Sequence, residues 1–446
     1  YLRRVVVKMI NKTMFKKRIK KLSRLMNDNS IAIIESAPKK IRNNDSTYRY
    51  RQSSNFYYLT GYDNPSAILV ILKKKKKLTT HFFTKKPNKH DEVWTGSLPS
   101  SVKIKNLHGF DKCDYQEDFE KYLISYLENI KSVYHSWDHD NVSKLIFNKC
   151  LDKLEQRYRS GIELPSEFFS LKKILHKLRL IKDKHEIALI RAAGKISSEA
   201  HIAMIKKCKP GLTEKELEAL LIYNFNVNNA LEAYTSIVAS GKNACVLHYI
   251  ENSSTLQNGD LLLTDAACEY KNYASDITRT IPINGRYNRY QKLLYNIVLK
   301  AQEKAIEACV IGNTLQNIHL IAVKIICKGL IELGLINKSY KQAMDEELYK
   351  KFYMHNTGHW LGLDVHDPSE YKEDNEPVKL KAGMIFTVEP GLYIRAHKSV
   401  SKKFHNIGIR IEDDILITKK GPEILTSNVP KSIKAIEKLM VGSNSE

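Results

Sequence analysis

From Leu189 onward, apolar residues recur at steps of four and three. Leu189, Ala193, Ile196, Ala200 and Ala203 fall on one face of a long helix. Pro210-Gly211 ends it, and Thr213 followed by Glu216 is a capping box that opens the next helix. Two more helical patterns cover 288–310 and 314–333, while 260–283, 384–394 and 407–418 read as strands. The second half thus alternates a helix pair with a strand ribbon twice. That pattern predicts two structurally similar halves, although no internal sequence repeat is visible. Upstream, Ile31–Ile34 and Ala67–Leu72 predict buried strands, and Tyr115–Asn129 predicts a helix. The charged stretch His176–Lys184 marks a boundary near 175–184.

A chain of 446 residues is too long for one ordinary core, so two domains are expected. The fold class is α/β (α+β). Residues 1–13 are expected to form a basic extension without fixed structure, ahead of domains at 14–178 and 179–446.

Hydrophobic content of 43% and charged content of 27% belong to a soluble globular chain. No apolar run reaches the roughly 18 residues of a membrane span. The longest, Ala67–Leu72, has strand length, so no membrane partner is expected. The seven cysteines (113, 150, 208, 245, 268, 309, 327) are scattered and show no CxxC pair. That usage points to reduced thiols and a cytoplasmic setting.

The net charge of +23 raises a nucleic-acid partner. Most of it is dispersed lysine. Residues 1–27 hold ten Lys or Arg and no acid, and Lys73–Lys77 follows a strand-like run as a solvated turn. Neither stretch interleaves aromatic residues with basic ones, so no specific nucleic acid is expected. The chain opens on Tyr1, and Met9 and Met14 are candidate starts. The acid-free opening makes a mitochondrial presequence the alternative to a cytoplasmic protein, although such segments favour Arg and Ser over Lys.

The chemistry gathers in the second half. Leu261–Asp265 reads as one strand and Tyr273–Pro282 as the next, with a polar turn at Glu269–Asn272. A turn centred between Tyr270 and Lys271 sets Asp265 opposite Asp276, with Cβ atoms about 5 Å apart. Two like charges so placed cost energy unless something binds them. Taken alone, the pair reads equally as two strand-end aspartates. Ile385–Glu389 and Ile407–Glu412 form a second ribbon carrying two acids, joined by the polar loop 395–406. Arg410 and Glu412 share one face of it, so a plain salt bridge from Arg410 to a nearby acid is the structural alternative. Asp413 and Asp414 are weaker candidates as ligands. Between the ribbons, His355, His359 and His366 fall within twelve residues, with Gly358 and Gly362 permitting tight turns. His248 is a weaker candidate by spacing. Four converging carboxylates repel one another unless cations neutralise them, and two divalent metal ions carry the matching charge.

At these residues the chain resembles the pita-bread metallopeptidase family, in its Xaa-Pro aminopeptidase (aminopeptidase P) branch. The similarity is carried by Thr264-Asp-Ala-Ala-Cys-Glu-Tyr, Ser275-Asp-Ile-Thr-Arg-Thr, His359-Trp-Leu-Gly-Leu-Asp-Val-His-Asp, Thr387-Val-Glu-Pro-Gly-Leu-Tyr and Gly408-Ile-Arg-Ile-Glu-Asp-Asp. In the first domain it is carried by Arg42-Asn-Asn-Asp-Ser and Tyr50–Gly61. The resemblance implies a small mixed α/β creatinase-like N-terminal domain before a pita-bread catalytic domain. It implies metal ligands at Asp265, Asp276, His359, Glu389 and Glu412, with Asp276 and Glu412 bridging and manganese the usual activator. It places His248, His355, His366 and Arg410 in the substrate pocket, with Glu389, His366 and His355 in catalysis. A metal-bridging hydroxide would attack the first peptide carbonyl, and the substrates would be peptides with proline in second place. A homodimer or homotetramer is the expected assembly.

Gly96-Ser97-Leu98 departs from the basic residues that relatives carry after Trp94, which leaves a subunit contact or substrate channel there open. The rival readings are a prolidase, restricted to Xaa-Pro dipeptides, and a non-catalytic pita-bread binding protein. A methionine aminopeptidase would leave the first domain unexplained.

Overall fold

Strands of the first unit pair as their burial demands. In the computed structural model, which describes residues 12–137 and 142–441, this unit is built on a six-stranded sheet. Its strands are β1 (Ser30–Glu35), β2 (Ala67–Lys74), β3 (Lys77–Thr84), β4 (Lys112–Tyr115), β5 (Ser132–His135) and β6 (Glu167–Ser170), ordered β4-β3-β2-β1-β5-β6. β1, β2 and β3 run antiparallel in sequence, and the outer pairings are parallel. Ile31, Ile33, Val70 and Phe83 on one face bury against Phe119, Leu123 and Leu127 of α2 (Phe119–Leu127) and Phe147 of α3 (Val142–Glu155).

The helix expected over 115–129 is shorter, Phe119–Leu127, because Tyr115 ends β4 and Gln116–Asp118 form a 3₁₀ turn ahead of it. The lysine run 73–77 is the β2–β3 turn, with Lys75 and Lys76 in the left-handed region. Lys73 itself is not purely solvated: its Nζ donates to the carbonyls of Ser23 and Met26. The basic extension lies outside the described residues as far as residue 11. Lys12 and Thr13 already belong to α1 (Lys12–Leu25), which buries Phe15, Ile19 and Leu22.

The described chain divides after Arg179 into a second unit. There α4 (Lys184–Lys207) and α5 (Glu214–Val227) start on capping boxes at Asp183–Glu186 and Thr213–Glu216. The buried face of α4 carries Leu189, Ala193, Ile196 and Ala200, and continues through Met204 rather than the half-buried Ala203. The second helix pair is α6 (Arg289–Glu307) and α7 (Leu315–Glu332). The first ribbon comprises β7 (Ile237–Ser240), β8 (Leu261–Asp265), β9 (Cys268–Tyr270), β10 (Tyr273–Ala274) and β11 (Thr278–Pro282), with β8 between β7 and β11. The second comprises β12 (Ile385–Val388), β13 (Gly391–Ile394), β14 (Ile407–Arg410), β15 (Asp413–Thr418) and β16 (Gly421–Ile424). The expected alternation of helix pair and ribbon is thus present twice.

One register differs from expectation. Tyr270 pairs with Tyr273 around a turn at Lys271 and Asn272, both at positive φ. This centre lies one residue later than the spacing argument puts it, so Asp265 faces Thr278 rather than Asp276. Shifting the sum of paired positions by two preserves parity. Asp276 therefore sits diagonally from Asp265 on the same face, still within reach.

Candidate metal centre

Both ribbons lose regular pairing where the acids sit. The strand read over 273–282 breaks at Ser275–Ile277, between β10 and β11. Ladder bonds from Ala266 N to Ile277 O and from Ser275 N to Cys268 O keep the register through the break. In the second ribbon, Val388 pairs with Asp413 and Gly391 with Arg410, which leaves Glu389 and Glu412 in the unpaired gap between them. Glu412 N donates to Thr278 O (3.1 Å), and its side chain accepts from Thr278 Oγ1 (2.6 Å), so the two ribbons meet there.

His359 arrives by a different route. Its backbone carbonyl accepts Thr387 N–H (2.9 Å), and its own N–H donates to Thr387 Oγ1 (3.1 Å), so the 357–361 segment lies along β12. Gly358 makes this possible by close approach rather than by the turn expected of it. Its φ is not positive, and a Cβ there would stand 1.9 Å from Thr387 O. His359 Nε2 ends 3.4 Å from Asp276 Oδ2 and 3.5 Å from Glu389 Oε1.

The result is one cavity of about 450 Å³ lined by the five expected metal ligands, by His248, His355 and His366, and by Arg410. Ligand atoms of Asp276, His359 and Glu412 lie within 4.8 Å of one another. His366 stands edge-on to His359 with ring centroids 4.3 Å apart. His355 Nδ1 meets Asn356 O and its Nε2 meets the Tyr393 hydroxyl (2.9 Å). His248 lines the same cavity from the 241–254 segment and is exposed. Arg410 donates to Asp265 Oδ2 (2.6 Å), Thr278 Oγ1 (3.0 Å) and Tyr393 Oη (2.9 Å). The salt-bridge alternative for Arg410 is therefore present, inside the same cluster. Asp413 pairs instead with Arg279 and Lys431, and Asp414 accepts Asp276 N–H (3.1 Å).

The electrostatics are those of a site that wants cations. Burial pushes the Glu412 carboxyl well above the usual range, and Asp276, Glu389 and Asp265 push it further. Asp265 is raised by burial and by Asp276, against the pull of Arg410. Glu389 is raised to about 7, first by burial. Burial opposes charge on His359, yet Asp276 and Glu389 outweigh it and hold the imidazole at about 9. Burial and crowded negative charge act together in these shifts, and divalent cations would relieve them. Four carboxylates and an imidazole are a fitting donor set for them.

Some contributors have no local signal in the sequence. Tyr234 lies 31 residues before Asp265, and its hydroxyl sits 2.6 Å from Asp265 Oδ1 and 2.5 Å from Asp276 Oδ1. Fully buried Arg279 donates to Glu412 O (2.5 Å) and to Asp413 (2.7 Å), tying the two ribbons together.

Fold and donor set together define a metallopeptidase. Residues 188–419 match the model of metallopeptidase family M24, and residues 15–134 match the aminopeptidase P N-terminal domain. The chain belongs to metallopeptidase family M24, in its aminopeptidase P branch. It is 37% identical to the Xaa-Pro aminopeptidase of Escherichia coli (strain K12), over 98% of this chain and 99% of that one. The structure of Pseudomonas aeruginosa aminopeptidase PepP superposes with a TM-score of 0.96 at 39% identity, covering 99% and 100% of the two chains. The zinc-substituted E. coli aminopeptidase P in complex with product gives 0.95 at 37% identity, covering 98% and 99%. The expected fold and family are borne out, and the chain is a metal-dependent aminopeptidase.

Proposed function

We propose that this enzyme releases the N-terminal residue from peptides with proline in the second position. The reading rests above all on the gathering of Asp276, His359 and Glu412 within 4.8 Å, in a cavity that also holds Asp265 and Glu389. These five would hold two divalent ions. Manganese suits so oxygen-rich a set. Bound there, such ions would supply Lewis-acid activation of a water molecule at neutral pH.

The chain's own groups do the rest. Glu389 carries the proton from the nucleophile to the leaving nitrogen, a tertiary amide nitrogen when proline follows. His366 donates to the oxygen that becomes negative at the attacked carbon. His355, oriented by Tyr393, and His248 line the cavity and bind the peptide beyond the cleaved bond. Ile237, Leu247, Ile250 and Val365 offer apolar surface for the proline ring. Arg410 neutralises Asp265 and fixes its rotamer.

We also propose the domain division 1–13, 14–178 and 179–446, an assembly of two or four copies, and a cytoplasmic location. The last is supported by seven free cysteines. The deciding experiment offers Ala-Pro-Ala and Gly-Pro to the manganese-loaded enzyme. Release of Ala from the tripeptide is expected. Turnover of Gly-Pro alone would replace this reading with that of a prolidase.

A further inference from the structure

Behind the cavity lies a buried carboxylate that no cation accompanies among the described residues. Glu214, in the first turn of α5, is fully buried. All of its side-chain partners come from residues 240–254. Its Oε1 accepts from Ser240 N (2.7 Å), Ser240 Oγ (2.7 Å) and Asn243 Nδ2 (3.0 Å). Its Oε2 accepts from Tyr249 Oη (2.9 Å) and Ser254 N (2.8 Å). Five donors saturate the lone pairs of one carboxylate.

One turn further along the same face of α5, Glu218 Oε1 accepts from Asn252 Nδ2 (3.0 Å). Asn252 is itself fully buried at φ +48°, and its Oδ1 accepts Val238 N–H (2.9 Å). Two carboxylates four residues apart therefore grip the segment at Ser240, Asn243, Tyr249, Asn252 and Ser254. Between these points the chain has only one short 3₁₀ turn, Gly241–Cys245, and no strand. Left to itself, such a segment would be mobile. Leu247, His248 and Ile250, the residues it presents to the cavity, all lie between the grips. A buried carboxylate without a counter-ion is a costly way to fill space, so what it secures is geometry.

We propose that Glu214, assisted by Glu218, is a positioning residue for peptide cleavage. It holds the 240–254 loop so that His248 meets the peptide at a fixed distance from the metal ligands. This rests on the reading that the cavity takes a peptide and that His248 contacts it.

The test uses the full-length, manganese-loaded enzyme and three variants: Glu214→Gln, His248→Ala and the double variant. Glu214→Gln is expected to speed amide hydrogen exchange across 240–254 at least about tenfold, leaving α6 and α7 unchanged. It should lower kcat/KM for Ala-Pro-Ala about tenfold, mainly through KM, with manganese stoichiometry unaltered. In the His248→Ala background the same change should cost almost nothing more, because both act through one contact. Tyr249→Phe removes a single donor and should give a smaller version of both effects should Glu214→Gln fail to fold. Unchanged exchange, or fully additive losses in the double variant, overturns the proposal. A His248→Ala variant with wild-type kcat/KM would instead remove His248 from the peptide site. The clamp would then be decided by the exchange data alone.

Discussion

In the proposed mechanism Glu389 serves two purposes. Its carboxyl is lifted to about 7, mainly by burial, and it would act both as a ligand and as the proton carrier. Glu389→Gln keeps the shape and one ligating oxygen but cannot carry a proton. It should leave the urea unfolding midpoint near wild type while lowering kcat on Ala-Pro-Ala at least about a hundredfold. Near-normal turnover would reject the proton-carrying role.

His201 gives a second residue-scale prediction. Its Nε2–H donates to Ala266 O (2.7 Å), and its Nδ1 is buried without a partner among the described residues. Burial lowers its pKa from 6.5 to about 4. Between those values the unfolded chain takes up a proton that the folded chain refuses, so stability is lost as pH falls through that window. The loss is roughly 3 kcal/mol by pH 4. His201→Gln keeps an amide donor for Ala266 O and should flatten the dependence, measured as urea midpoints at pH 7 and pH 4.5. Parallel curves for the two proteins would contradict this.

At this scale the acids and histidines were legible because each stands in a strand end or glycine-flanked loop with a recognisable pattern. Tyr234 and Arg279 were not. One acts across 31 residues of sequence, and the other acts by bonds to backbone carbonyls.

Among the elements, the segment at 357–361 decides where His359 stands. Gly358 is required by the approach to Thr387, since a methyl group would stand 1.9 Å from its carbonyl oxygen. Gly358→Ala must push the segment off β12 and draw His359 away from Glu389. A fall in kcat/KM of at least about a hundredfold is expected, together with weaker manganese binding by titration. Wild-type values for both would show that this contact does not set the ligand geometry.

The helices read cleanly because caps and apolar spacing coincide at α4 and α5. The first hairpin was harder. Its turn places Lys271 and Asn272, not glycine, in the left-handed region, so nothing in the local sequence fixes its centre. The error was two in register and left the face intact. Parity is what brings Asp265 and Asp276 to one spot, and that much survives a misplaced turn. Gly358 illustrates the converse: the sequence marks the residue, but its reason is a neighbour that only the folded chain supplies.

For the molecule as a whole, charge balance is the organising fact. The chain carries +23 overall, yet its cavity concentrates Asp265, Asp276, Glu389 and Glu412 against Arg410 and His359. Such an arrangement is unfavourable by itself, and the two divalent cations of the proposed site would make it favourable. On that reading, folding, metal affinity and peptide cleavage are linked through one cluster. The most direct measurement is manganese titration of exhaustively chelated protein, following bound metal and Ala-Pro-Ala turnover together. Two ions per chain are expected, with activity absent before the titration and restored as the sites fill. Full activity in the chelated protein, or saturation with no ion held at these residues, would contradict the account.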